Sequence, residues 1–191
     1  MQHEITSSRP LLDEKGNIAE PGYAKKLLPV YRRADIKAPA MRIKEWDYYL
    51  INNGRFALAL TVDDNGYMSL DSISLLNFDE KWEITASPMG FMPLGRVGLP
   101  ETSAVGDTRH AGPGRSLYFK NDGSGRRELS FRMDKFGPLG TIGGNVTLFG
   151  APGEGMVIAT LFDKPGHFYF NQKINCMRAE GSFTYGGRTY T

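Results

Sequence analysis

The stretch Glu45-Trp46-Asp47-Tyr48-Tyr49-Leu50-Ile51-Asn52-Asn53-Gly54-Arg55-Phe56-Ala57-Leu58-Ala59-Leu60-Thr61-Val62 decides the fold class. In an extended chain successive side chains point to opposite faces, so Trp46, Tyr48 and Leu50 share one face and Glu45, Asp47 and Tyr49 the other. Beyond Asn52-Asn53-Gly54 the alternation resumes, with Phe56, Leu58, Leu60 and Val62 opposed by Ala57, Ala59 and Thr61. Asn-Gly supplies the positive φ that a tight hairpin turn needs. Two alternating runs around such a turn predict an antiparallel β-hairpin.

Working outward, Asp63-Asp64-Asn65-Gly66 closes the second strand, and residues 67–78 and 82–85 extend the hairpin to a four-strand meander. A second hairpin is predicted over 116–121 and 128–134, around Asp122-Gly123-Ser124-Gly125, with Leu129, Phe131 and Met133 alternating against Glu128, Ser130 and Arg132. Further strands are expected over 146–149, 156–162, 167–174 and 178–185. About ten strands without a sustained helical period predict an all-β protein, an antiparallel lipocalin-like (calycin-like) barrel or sandwich. Residues 87–114, rich in Gly and Pro, are expected to form a long irregular loop of the kind that carries sites or lids. Residues 1–42, broken by Pro10, Pro21, Pro29 and Pro39, are expected to be an extended arm over a β domain of 43–191. Gly186-Gly187 reads as a hairpin turn with only four residues left to pair, so the natural polypeptide is expected to continue past Thr191.

Composition narrows the function classes. Hydrophobic residues are 40% of the 191, enough for a packed core, and 23 glycines punctuate the strands. A net charge of +2 gives no reason to expect a nucleic-acid partner. No apolar run approaches the roughly 18 residues of a membrane-spanning helix. The opening Met1-Gln2-His3-Glu4-Ile5-Thr6 lacks the basic start and apolar stretch of a secretory signal, and Cys176 is the one cysteine, so a cytoplasmic location is expected.

Several segments together resemble a bacterial family catalogued as domain of unknown function 2804 (DUF2804). They are Leu11-Leu12-Asp13, Gly22-Tyr23-Ala24, Lys44-Glu45-Trp46-Asp47-Tyr48-Tyr49, Thr61-Val62-Asp63-Asp64-Asn65-Gly66-Tyr67, His110-Ala111-Gly112-Pro113-Gly114, and Lys173-Ile174-Asn175-Cys176-Met177-Arg178-Ala179-Glu180-Gly181. Members are usually longer, so the resemblance implies an N-terminal half whose partner is its own C-terminal β domain. The family is distantly similar to tandem lipocalin-like proteins that include carotenoid hydratases and tocopherol cyclases. That similarity implies an apolar lipid or isoprenoid ligand, and carries over no catalytic residue.

The candidate chemistry is sparse. Glu45 and Asp47 share a strand face, and paired carboxylates can raise one pKa to make a general acid. A wet face of an antiparallel strand predicts the same residues, and that reading is favoured if Trp46 points inward. His110, with Arg109 and Arg115 around Gly112-Pro113-Gly114 and Asp107 nearby, is the best single candidate for acid–base work or ligand contact, against the common surface role of loop histidines. Asp63-Asp64-Asn65-Gly66 has calcium-type oxygens but lacks the distal Glu of an EF-hand, and fits a turn. Cys176, alternating with Ile174, is expected to be a buried apolar residue. Trp46, Tyr48, Phe119 and Phe131, with Arg109 and His110, are the expected ligand contacts, though such aromatics more often fill a core. Three dispersed histidines give no metal cluster, and no cofactor is expected. Three readings stand: a domain that binds a hydrophobic small molecule in an apolar cavity; a hydratase- or cyclase-like enzyme using Glu45, Asp47 or His110, with buried carboxylates; and a structural half-domain with an exposed apolar patch.

Overall fold

The structure, a computed structural model, describes residues 3–191; Met1 and Gln2 of the N-terminal reading lie outside it. Its strands run in chain order as β1 (Arg9–Pro10), β2 (Gly22–Ala24), β3 (Pro29–Val30), β4 (Glu45–Asn52), β5 (Phe56–Asp64), β6 (Met68–Asn77), β7 (Trp82–Ala86) and β8 (Met89–Phe91). They continue as β9 (Thr108–Gly112), β10 (Arg115–Lys120), β11 (Arg127–Gly137), β12 (Gly140–Phe149), β13 (Met156–Leu161), β14 (Phe168–Lys173), β15 (Arg178–Tyr185) and β16 (Arg188–Tyr190). Among the described residues, helix is confined to two short 3-10 turns, Arg33–Asp35 and Ala40–Arg42.

The chain divides into two compact units. The larger takes residues 40–100, 105–149 and 179–191 and holds two sheets. One orders its strands β4-β5-β6-β7, with β8 also on β6; the other runs β16-β15-β12-β11-β10-β9. No strand pairing closes one onto the other, so of the two expected forms the sandwich is the one that fits, and a closed barrel is not formed. The sheets join through their apolar inner faces: Leu58, Leu60, Val62, Ile73 and Leu75 on one, Leu117, Phe119, Leu129, Phe131, Met133 and Ile142 on the other, all buried. Aromatic rings span the layer, Tyr49 meeting Phe119 at 4.9 Å and Phe56 meeting Phe183 at 5.6 Å, both edge to face.

The smaller unit takes residues 3–39, 101–104 and 150–178. Here β2 adds to the β13-β14 hairpin, and β1 lies parallel to β3. Ile5, Leu11, Leu12, Ile18, Ala24, Val157 and Ala159 form its own core. The proline-punctuated N-terminal segment, expected as an extended arm over the β domain, contributes strands to a small sheet, and residues 150–178 belong to the same unit. Each short strand pairs where no proline needs to donate.

Three expectations are corrected. The β4 side chains face opposite to the favoured reading: Trp46, Tyr48 and Leu50 point to solvent, and Glu45, Asp47, Tyr49 and Ile51 point inward. The reason is register. Directly opposed residues of an antiparallel pair share a face, and Asp47, Tyr49 and Ile51 oppose the buried Val62, Leu60 and Leu58. The 87–114 loop is shorter than expected, because β8 and β9 lie within it and pair with β6 and β10. Cys176 is exposed with a φ of 62°, outside any strand, so the alternation with Ile174 does not bury it.

Candidate functional site

At one end of the larger unit, β6, β9 and β10 bring together the side chains of Asp71, His110 and Arg115. Asp71 lies on the inner face of β6, at the same parity as Ile73 and Leu75 and opposite Val62. Its side chain is 0% exposed. Oδ1 accepts a hydrogen bond from His110 Nδ1 at 2.6 Å, and Oδ2 accepts one from Arg115 Nε at 2.5 Å. A buried carboxylate needs compensation, and the permanently charged guanidinium supplies it. Asp71 therefore accepts from both partners, and Nδ1–H is the donor that faces it. Nε2 makes no hydrogen bond among the described residues. The His110 side chain is 24% exposed.

The local sequence builds this arrangement through one turn. Pro113-Gly114 joins β9 to β10, with Gly114 at a φ of 69°, the pattern of a type II turn. It sets Gly112 opposite Arg115 and His110 opposite Leu117, so His110 and Arg115 face the same way on neighbouring strands. Gly112 also leaves room for the Arg115 side chain. A Cβ there would sit 2.4 Å from Nη1 of Arg115, which folds flat across this position on its way to Asp71.

A second buried polar pair lies beside the first. Asp47 Oδ2 accepts a hydrogen bond from Thr108 Oγ1 at 2.8 Å. Burial pushes the Asp47 carboxyl up; the Thr108 hydrogen bond and the Arg127 charge oppose that shift without cancelling it. The Tyr49 phenol is pushed far up, first by burial and then by the Asp47 charge. Asp47, Val62 and Asp71 form one transverse row on the inner face, so the two aspartates stand two strand spacings apart, roughly 10 Å. They do not share a proton. Glu45 lies on the same face, half-buried and opposite Asp64. Both Asp64 oxygens are taken by backbone amides, Oδ1 by Gly66 at 2.9 Å and Oδ2 by Gly95 at 2.7 Å, so this aspartate staples a turn to a loop. Among the described residues no group of three His, Cys, Asp or Glu side chains is placed to hold a metal ion.

Of the residues singled out in the sequence, His110 and Arg115 come together and Asp47 lies nearby. Arg109 points away on the outer side of β9, its guanidinium 5.6 Å from the Tyr118 ring centroid. Phe119 and Phe131 are core residues, Phe131 packing 5.9 Å from Phe183. Trp46 and Tyr48 stand on the opposite, outer face of their sheet. Asp71 and Thr108 escaped the sequence reading. Asp71 had a signal: in Leu70-Asp71-Ser72-Ile73 it is the one charge at the parity of buried residues, and a carboxylate at a core position calls for a partner.

These features define an antiparallel two-sheet β domain with a histidine held by a buried carboxylate at one end. The chain belongs to the family described as domain of unknown function (DUF2804), whose model matches residues 2–191. No curated protein and no solved structure is similar enough to this chain to match it. No helix among the described residues is long and apolar enough to cross a membrane.

Proposed function

We propose that this domain binds a largely apolar small molecule at the Asp71 end of the sandwich and transfers protons to or from it through His110. The observation that carries this reading is the held imidazole: Nδ1 is fixed on a fully buried carboxylate, Nε2 has no hydrogen-bond partner among the described residues, and the side chain is partly exposed. That is the arrangement a general base or acid requires, with Asp71 orienting the ring and balancing the imidazolium that forms. A purely structural account needs only one cation. Arg115 already compensates Asp71, so a second donor with an open ring edge exceeds what the fold demands.

The substrate class follows from the surroundings. Leu117 opposes His110 across the β9–β10 ladder, and Phe131 opposes Leu117 in turn, so an apolar row leads into the sandwich beside the imidazole. An unsaturated lipid or isoprenoid alcohol is the substrate class we propose: Nε2 takes a proton from solvent, the imidazolium gives it to one carbon of the double bond, and the water that adds to the other carbon returns its proton to Nε2. Asp47, whose carboxyl burial pushes up, is a second acid on the same face, too far from Asp71 to act through the same proton.

The test is deuterium transfer. The chain is incubated in heavy water with geraniol, farnesol or oleic acid, and carbon-bound deuterium is measured in the recovered lipid by mass spectrometry. Incorporation that His110→Gln reduces at least tenfold, with the fold retained by circular dichroism, supports the proposal. No incorporation across the panel, or equal incorporation by the variant, contradicts it.

A further inference from the structure

Asn-Gly occurs at two places in the chain, Asn53-Gly54 and Asn65-Gly66, and the fold treats the two differently. In this dipeptide the glycine amide nitrogen can attack the asparagine side chain before it, because no Cβ shields that nitrogen. Asn52, Asn53, Gly54 and Arg55 are all exposed at the tip of the β4–β5 hairpin. A Cβ at Gly54 would meet no atom within 4 Å. Asn53 Oδ1 accepts hydrogen bonds from the backbone amides of Arg55 at 3.0 Å and Phe56 at 3.1 Å. Its Nδ2 donates to the Thr191 carbonyl at 3.4 Å, and the Gly54 N–H donates to Asn52 Oδ1 at 2.7 Å.

The second dipeptide is packed in. Gly66 is buried, and a Cβ there would lie 2.5 Å from the Ala40 carbonyl oxygen and 2.6 Å from the Met41 carbonyl carbon. Its N–H donates to Asp64 Oδ1 at 2.9 Å, and its carbonyl accepts from the Leu94 amide at 3.1 Å. The Asn65 amide donates to the Met68 carbonyl at 2.8 Å. Closing a ring onto the Gly66 nitrogen would have to move these groups together against close-packed backbone. No such packing restrains Gly54.

We propose that Asn53 is a site of spontaneous deamidation and isoaspartate formation, and that the fold protects Asn65 from the same reaction. Solvent base takes the Gly54 amide proton, the nitrogen attacks Asn53 Cγ, and Oδ1 takes up negative charge as the N–Cγ bond forms. The Arg55 and Phe56 amides already donate to that oxygen, the arrangement that stabilises a developing oxyanion. The carbonyl re-forms as the Cγ–Nδ2 bond breaks, Nδ2 leaves as ammonia with a proton from water, and a succinimide remains. Water opens this ring. Cleavage at the Asn53 main-chain carbonyl gives isoaspartate, and cleavage at Cγ gives aspartate, so one water is consumed and one ammonia released. Isoaspartate adds a methylene to the backbone of the turn that sets the β4–β5 register, and β4 carries Asp47 and Tyr49 inward. The reaction uses no residue of the Asp71 end.

The test ages the full chain in mildly alkaline buffer at physiological temperature, folded and in urea, then digests it and follows both peptides by mass spectrometry. The readout is the mass gain of the amide-to-acid change, which isomerisation at Asp122-Gly123 does not produce. Isoaspartate in the Asn53 peptide is read with isoaspartyl methyltransferase and labelled S-adenosylmethionine. The expected result is that Asn53 converts at least tenfold faster than Asn65 in the folded chain, with isoaspartate among its products. In urea, where only the dipeptides themselves matter, the ratio is expected to fall below about threefold. No conversion at Asn53 in the folded chain, a folded-state ratio below tenfold, or a product without isoaspartate overturns the inference. So does a ratio that stays above threefold in urea, since the preference would then belong to the local sequence and not to the fold.

Discussion

Asp71, His110 and Arg115 each have a distinct role, and substitution separates them. Asp71→Asn leaves Arg115 without its charge partner, and breaking a buried pair in this way costs about 3 kcal/mol or more in chemical denaturation. His110→Gln removes a donor from a site that Arg115 still compensates, so its cost is about 1 kcal/mol. Near-equal losses would mean that the histidine is part of the structural lock. Gly112→Ala forces the Arg115 guanidinium off its path, and is expected to destabilise the domain as well as impair the site. Asp47 supplies a pH signature. Because burial raises its pKa above the ordinary 3.8, the folded protein holds that proton more tightly than the unfolded chain, and the contribution to stability is lost as pH rises through the folded value. Asp47→Asn keeps an acceptor for Thr108 without the charge. The variant is therefore expected to be more stable than the parent at pH 7, with the gap closing as pH falls toward 3.8, measured by urea titration at several pH values. A gap that widens on acidification would reverse the assignment.

Strand β4 shows what alternation can and cannot decide. The pattern over 45–51 marks a strand with two unlike faces, and that much is legible locally. Which face is buried is set by the partner, and counting through the Asn52–Gly54 turn places Tyr49 opposite Leu60 and Tyr48 opposite Thr61. The information was in the sequence, one hairpin away from where the apolar side chains drew attention. Adjacent tyrosines make the check simple. Tyr49→Ala removes a ring from the core and is expected to cost about 3 kcal/mol, whereas Tyr48→Ala on the outer face is expected to cost under about 1 kcal/mol. The reverse order would turn the strand over. Strand β9 was not legible, because Thr108-Arg109-His110-Ala111-Gly112 has weak β propensity within a Gly- and Pro-rich stretch and becomes a strand by pairing with β10. The hairpins at 52–54 and 122–125 were legible because turn chemistry is local.

At the scale of the whole molecule, the sequence carries its fold class in the sum of alternating runs, but the division into units depends on pairings far apart in the chain. Val157 and Ala24 are partners across more than a hundred residues, and no local pattern announces that. The same holds for the site, since Asp71 and His110 are 39 residues apart and meet only because the two sheets of the larger unit face each other. Strands buried in the middle of sheets should open last: hydrogen exchange is expected to be slowest in β5, β6, β11 and β12 and fastest in the short edge strands β8 and β16. The functional reading stands on Asp71 holding His110 by Nδ1, which nitrogen-15 NMR of the intact chain with labelled histidine checks by comparing the parent with Asp71→Asn. Where the ring is neutral, its proton is expected on Nδ1 and a lone pair on Nε2, and this preference is expected to be lost in the variant. A proton on Nε2 in the parent, or a tautomer unchanged by Asp71→Asn, would contradict it.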